Sequence, residues 1–189
     1  PPERWRVVIF GQNPYPRLES ATGIAMFDNT FADWNDGQFG KVVSMRCIIK
    51  AACMHQLGVG KAASVADVRK LLVTNAVVTP PRWFQAILAQ GVLLLNASLT
   101  ASADDSLSTS RHTRFWKPVV ERIVEEILAA RGERGVVFVW WGSHAKSLRK
   151  LVEGLQSKHP GAAVRHVDHC NPAAMGEAFC DGDPLGAIN

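Results

Sequence analysis

Four short apolar runs, each followed at once by a polar turn, constrain the fold of this chain more than any other feature. Each run is largely apolar, carries β-branched, aromatic or leucine residues, and is shorter than a typical helix. Runs without polar alternation are typical of strands buried on both faces, as in a parallel sheet covered by helices. The four predicted strands are residues 6–10, 92–96, 136–141 and 163–167.

Helical periodicity separates these strands, so the sequence predicts an α/β fold. In the longest helix, Pro118 is expected in the first turn, which places the helix start near Phe115, and Gly132 is expected to end it. Ser143 is the expected N-cap of the following helix. The predicted helices are residues 42–55, 65–73, 81–90, 115–131 and 143–155.

Size and composition indicate one globular domain. The chain has 189 residues, of which 47% are hydrophobic and 20% charged, and no apolar run approaches the ~20 residues of a membrane span. The net charge of +4 permits an anionic partner such as nucleic acid without requiring one. We therefore expect no membrane association.

Four cysteines in a chain of this length do not form a disulfide scaffold, so we expect an intracellular, reducing compartment. The first residue is proline rather than methionine. The native N-terminus, and any targeting peptide, is therefore expected to lie outside this sequence.

Polar residues follow each predicted strand, and ligands of parallel sheets bind just beyond the carboxyl ends of the strands. These turns are therefore the candidate site. They read "GQNPYP" (11–16), "NASLT" (96–100), "GSHAK" (142–146) and "DHCNPAAMG" (168–176).

Five motifs in order carry a resemblance to a known family. They are "GQNPYP" (11–16), "ATGIAMF" (21–27), "LLLNASLT" (93–100), "WGSHAK" (141–146) and "HCNPAAM" (169–175). This set, which runs from about Val7 to Phe179, resembles the uracil-DNA glycosylase family and is most similar to its family 1 type. The resemblance implies a three-layer α/β/α fold around a central four-stranded parallel sheet. It also implies a single domain over residues 1–189, truncated at its N-terminus relative to the family.

The resemblance implies that two residues select the base. The family cleaves the N-glycosidic bond of deoxyuridine in DNA after flipping the base into a pocket. Asn96 matches the family's asparagine, whose side chain offers one acceptor and one donor group to uracil and mismatches cytosine. Tyr15 matches the tyrosine that excludes the thymine methyl group, and Pro14 stiffens the turn that presents it.

The chemical step is assigned to two further residues by the same resemblance. His169 matches the neutral histidine that donates a hydrogen bond to the uracil oxygen where charge develops. Asn13 stands where the family has the aspartate that positions water. An amide can hold water but carries no charge, so hydrolysis is expected to be impaired. The related mismatch-specific branch uses asparagine in a G-I-N-P-G loop.

Other positions of the family pattern are altered. Gln12 is retained as a substrate-binding position, whereas Met26 replaces the phenylalanine that stacks on uracil, unless a one-residue slip brings in Phe27. Ser143 matches a serine that contacts phosphate. Asn171 replaces a second phosphate-contacting serine, and Ala173 replaces the leucine that wedges into the duplex, so flipping from duplex DNA is expected to suffer.

An alternative interpretation of the histidines and cysteines near the C-terminus is that they form a metal site. The candidates are His166, His169, Cys170 and Cys180, but their spacing fits no common structural zinc pattern. The four cysteines do not fit an iron–sulfur site either. We predict no metal and no cofactor.

Two functions fit these observations. The first is a uracil-DNA glycosylase that starts base excision repair on single- or double-stranded DNA, with reduced or altered activity. The second is a glycosylase-fold protein without catalysis, acting as a structural or nucleic-acid-binding subunit of a larger replication or ribonucleoprotein assembly. Exposed tryptophans such as Trp34 or Trp83 would then form an interface. The retained base-selecting residues favour the first.

Overall fold

The central sheet has the predicted parallel architecture. The computed structural model describes residues 1–104 and 106–188. Its strands are β1 (Val7–Gly11), β2 (Val92–Asn96), β3 (Val136–Trp141) and β4 (Val164–His169). All neighbours are parallel and their order is β2-β1-β3-β4, so β1 lies in the middle of the sheet. The predicted four-stranded parallel sheet with helices on both faces is confirmed.

Helices connect the strands. They are α1 (Val43–Leu57), α2 (Val65–Thr74), α3 (Pro80–Ala89), α4 (Thr109–Arg131), α5 (Gly142–Ser147) and α6 (Arg149–Gln156). Short 3-10 segments cover Pro2–Arg4, Gly37–Gly40, Gly132–Arg134 and Gly186–Ile188, and Met175–Cys180 contains 3-10 turns interrupted by a left-handed kink. Within the described residues, no helix has the length and apolar character needed to cross a membrane.

Alternation along the strands builds one core on each face of the sheet. In β1, Val7 and Ile9 join the core beneath α1, α2 and α3, whereas Val8 and Phe10 join the core beneath α4 and α6. In the second core Phe10 stacks on Trp140 with ring centroids 5.4 Å apart. Because both faces are buried, all five residues of β1 are inaccessible, which explains its continuous apolar run.

The start of α4 was predicted wrongly. The helix begins at Thr109 rather than near Phe115, and Pro118 lies in its interior. Proline removes one backbone donor, which would otherwise bond the carbonyl of Arg114. Both residues are exposed, so water can hydrate that carbonyl, and the helix continues through the proline.

The single helix predicted over residues 143–155 is two helices. At Leu148 the backbone N–H bonds the carbonyl of Ala145, three residues back, and this tighter turn separates α5 from α6. The N-cap position of α5 is Trp141 rather than Ser143, because the helix already begins at Gly142.

The predicted tryptophan interface is also corrected. Trp34 is 3% exposed, donates its Nε1–H to the carbonyl of Val78 at 2.8 Å and packs edge-on against Phe39. Trp83 is half-buried against Phe84. The apolar side chains of the segment around Trp34 therefore anchor it to the first core.

Candidate active site

A pocket of about 290 Å³ lies at the carboxyl ends of the strands, where the polar turns were predicted to converge. All four turns contribute to its wall, together with the segment after "GQNPYP" and Ser44 of α1. The predicted site residues in the wall are Gln12, Asn13, Tyr15, Met26, Asn96, Asn171 and Ala173.

Asn96 occupies its position because residue 11 is glycine. The two residues are paired in the register of β1 and β2, and the Oδ1 atom of Asn96 lies 2.3 Å from where a Gly11 Cβ would stand. Any side chain at position 11 would therefore displace the amide. Asn96 is 6% exposed, so a hydrogen-bonding amide is held in a largely desolvated part of the pocket wall.

Backbone hydrogen bonds tie the two turns together beyond these strands. The N–H of Ala97 donates to the Gly11 carbonyl at 2.9 Å, and the N–H of Ser98 donates to the Gln12 carbonyl at 3.0 Å. The "GQNPYP" turn is therefore held in a set position relative to Asn96, and the exposed Gln12 lies at the pocket wall.

Asn13 keeps the capacity to hold water. Its Nδ2 group donates to the Pro14 carbonyl at 2.8 Å, which orients the amide and leaves Oδ1 as an acceptor. The side chain is half-buried in the pocket wall. The position therefore offers a polar acceptor without a negative charge.

Tyr15 presents a neutral phenol to the pocket. Burial, and next the nearby Asp28 carboxylate, raise the pKa of Tyr15 to about 12, while Arg17 acts in the opposite direction. Asp28 is held in place because it accepts from the N–H and Oγ1 of Thr30 at 2.8 and 2.6 Å. The tyrosine therefore stays un-ionised at neutral pH.

Met26, rather than Phe27, lies at the pocket. Phe27 is buried in the first core and stacks on Phe84 with centroids 4.5 Å apart. Met26 lines the pocket and has a φ of 66°, a left-handed conformation that non-glycine residues rarely adopt. Met26 therefore lies at the pocket wall while the Phe27 ring is packed in the first core, and a stacking role for Met26 stays a prediction.

The loop after β4 packs closely against the end of β3 because residue 142 is a glycine. Gly142 has a φ of 89°, and a Cβ there would stand 2.8 Å from the Cβ of Asn171. Asn171 accepts from the N–H of Ala173 at 2.7 Å, which orders the turn that brings both residues to the pocket. Ser143 is exposed on α5, outside the pocket wall.

His169 is not part of the pocket wall. Its Nε2 atom lies 2.9 Å from the carbonyl oxygen of Phe179, and its ring packs edge-on against the Phe179 ring. The histidine stands at the carboxyl end of β4, as predicted, but its Nε2 is already occupied by the backbone. The assigned contact with a leaving uracil therefore requires this bond to break, and the role of His169 stays a prediction.

His144 is the pocket residue that the sequence reasoning missed. It lines the pocket, its Nε2 atom is buried and has no hydrogen-bond partner among the residues that the structure describes, and burial lowers the pKa of its imidazole. The ring is therefore neutral at pH 7 and can offer one donor and one acceptor. Its place beside Ser143 in "WGSHAK" was the available signal.

The alternative metal ligands do not converge. His166 accepts from Trp140 Nε1 at 3.0 Å in the second core, whereas Cys180 donates to the Cys47 carbonyl at 3.8 Å in the first. Within residues 1–104 and 106–188, no three histidine, cysteine or acidic side chains are placed to hold a metal ion.

Fold and site together define an α/β/α domain with a small, amide-lined pocket beyond the strand ends. No protein-family model matches the chain. Curated uracil-DNA glycosylases are similar to it over most of its length, and a solved structure shares its fold. The Lactococcus lactis subsp. cremoris protein is 27% identical over 185 residues, which cover 97% of this chain and 68% of that one.

Two further comparisons agree. The Pseudomonas paraeruginosa uracil-DNA glycosylase is 30% identical over 167 residues, covering 85% of this chain and 59% of the relative. The wild-type UNG crystal structure from Nitratifractor salsuginis superposes with a TM-score of 0.76 at 24% identity, covering 99% of this chain and 71% of that one. The chain belongs to the uracil-DNA glycosylase superfamily.

Proposed function

We propose that this protein is a uracil-DNA glycosylase, which hydrolyses the N-glycosidic bond of deoxyuridine in DNA. The observation that supports this most is the buried Asn96 amide in the pocket wall, with Tyr15 lining the same cavity. An amide can accept from uracil N3–H and donate to uracil O4, whereas cytosine presents the opposite pattern. In a desolvated pocket, the mismatched groups of cytosine would remain unpaired.

The proposed reaction uses the remaining pocket residues in turn. As the bond between the sugar carbon and uracil breaks, its electron pair leaves with uracil as negative charge on the uracil oxygen. The oxygen of the water held by Asn13 Oδ1 bonds the sugar carbon, and the proton that this water loses passes to solvent. His144, or His169 once it leaves the Phe179 carbonyl, would donate a hydrogen bond to the uracil oxygen. The net charge of +4 favours the DNA polyanion, with Ser143 and Asn171 proposed as phosphate contacts.

The experiment that tests the function uses oligonucleotides with one uracil, as single strands and as duplexes, followed by alkaline cleavage of abasic sites. We expect product from at least one substrate. No product at stoichiometric protein and long times would contradict the proposal. It would favour instead a glycosylase-fold protein without catalysis, which binds nucleic acid or serves as a subunit. Two observations support this second function: Asn13 carries no charge, and the Nε2 atom of His169 is already bonded to the backbone.

Replacing Asn13 by aspartate is expected to raise the single-turnover excision rate by roughly tenfold to a hundredfold. A carboxylate orients the same water and adds a negative charge that stabilises the positively charged sugar in the transition state. Asn13→Ala serves as the control and should lower the rate. An unchanged or lower rate for Asn13→Asp, in a variant with the melting temperature of the wild type, would contradict the role assigned to this position.

Replacing Tyr15 by alanine is expected to let thymine enter the pocket. The ratio of thymine to uracil excision should rise by at least about tenfold, because a single methyl group is discriminated only by steric contact. The matched control is Tyr15→Phe, which keeps the ring and should continue to reject thymine. The assay compares duplexes with one thymine or one uracil opposite guanine, and equal ratios for both variants would refute the steric role.

A further inference from the structure

Two large apolar side chains are far more exposed than a folded domain requires. Met175 is 94% exposed and Leu18 is 90% exposed, the highest values among the large hydrophobic residues that the structure describes. The next, Phe115, is 73% exposed. Exposed apolar surface of this kind marks contact sites when it clusters near a functional pocket.

Both residues follow the pocket wall closely along the chain. Met175 follows the pocket residue Ala173 by two positions, and Leu18 follows the pocket residue Pro16 by two. Two residues span at most about 7 Å, so the Cα atom of each residue lies within about 7 Å of a residue of the pocket wall. Ala173 itself ends in a methyl group, which is too short to fill the gap that an extruded base leaves in a duplex.

The backbone directly after Met175 is left-handed and is anchored to α1. Gly176 and Glu177 have successive left-handed φ values of 63° and 54°. The Glu177 carboxylate is held by the buried Lys50, whose Nζ atom is 2.6 Å away, and by Arg46 at 3.4 Å. A strained conformation that a buried charge maintains is typical of functional loops.

We propose that Met175 is the wedge that enters the DNA base stack when uracil is flipped, and that Leu18 makes a second apolar contact with the opened duplex. This inference rests on the proposed glycosylase function. Methionine is among the side chains that proteins insert between base steps, and its unbranched chain adapts to an irregular gap. The pair would supply what Ala173 cannot, so duplex DNA remains a substrate.

The test measures uracil excision from one sequence as duplex and as single strand. Met175→Ala should lower the excision rate on duplex DNA by roughly tenfold or more, and Leu18→Ala by about threefold. In each variant, an apolar side chain that offsets the free-energy cost of unstacking the bases is lost. Single-strand rates should stay within about twofold, since no stack has to open. Met175→Leu should retain duplex activity, and Val73→Ala, an exposed apolar residue on α2, should change neither rate.

Fluorescence of 2-aminopurine placed beside the uracil in the duplex gives a readout that does not depend on bond cleavage. Binding of the wild-type protein should increase the 2-aminopurine fluorescence, and binding of Met175→Ala should increase it much less. If Met175→Ala lowers the excision rate equally on duplex and single-stranded DNA, or leaves the duplex rate unchanged, the wedge role is wrong. If wild-type protein excises no uracil at all, the glycosylase proposal fails, and the 2-aminopurine signal alone decides: a rise lost in Met175→Ala supports the wedge, and any other result overturns it.

Discussion

Asn96→Ala is expected to reduce uracil excision by at least about 10²–10³-fold, because it removes both hydrogen bonds that would identify the base in the pocket. The amide is 6% exposed and its Oδ1 atom is packed over Gly11, so its position is fixed and solvent has little access to it. Uracil would then enter a pocket that leaves its N3–H and O4 groups unpaired. The measurement is single-turnover excision from a single-stranded oligonucleotide, which separates base recognition from duplex opening.

The control for this prediction is Asn29→Ala, which truncates an exposed asparagine outside the pocket wall and should leave the rate unchanged. Thermal melting of both variants checks that they fold. A folded Asn96→Ala protein whose rate lies within threefold of the wild type would show that the base is recognised elsewhere.

Lys50→Met is expected to lower the free energy of unfolding by about 3 kcal/mol, the lower end of the range for breaking a buried ion pair. Lys50 is 5% exposed, and its Nζ atom donates to Glu177 at 2.6 Å and to the Ala63 carbonyl at 2.7 Å. Methionine replaces the hydrocarbon part of the lysine side chain but not its ammonium group, so the carboxylate loses its principal partner. The cost stays near the lower end because the Glu177 side chain is 27% exposed and can be partly hydrated.

Urea denaturation measures this loss. Lys150→Met, at an exposed lysine of α6, is the matched control and should change stability by less than about 0.5 kcal/mol. Adding Glu177→Gln to Lys50→Met should recover part of the loss, because the unpaired charge is removed. A loss below about 1 kcal/mol for Lys50→Met would show that the ion pair contributes little and does not order the loop that carries Met175.

The predicted strands were close to those in the structure because their signal is local. Continuous apolar runs bounded by polar turns require burial on both faces, and the order of the turns then places their polar residues at one edge of the sheet. Asn96 and Tyr15 could therefore be assigned to one pocket. The helix start near Phe115 was wrong because the penalty for Pro118 depends on whether the carbonyl it leaves free is hydrated, and exposure is a tertiary property.

By itself, the sequence determined the parallel sheet and the turns that form the pocket, since both follow from residue type and order, and it placed an uncharged asparagine where the resemblance predicts the water-positioning residue. Only the tertiary structure decided that Met26 rather than Phe27 lines the pocket, that the Nε2 of His169 is taken by the backbone while His144 lines the wall, and that Met175 stands exposed. The physical reason is that the direction of a side chain depends on the local backbone conformation, including left-handed φ values, and on packing against segments that are distant in sequence. The Lys50–Glu177 pair, which joins α1 to the final loop across more than a hundred residues, is the clearest example.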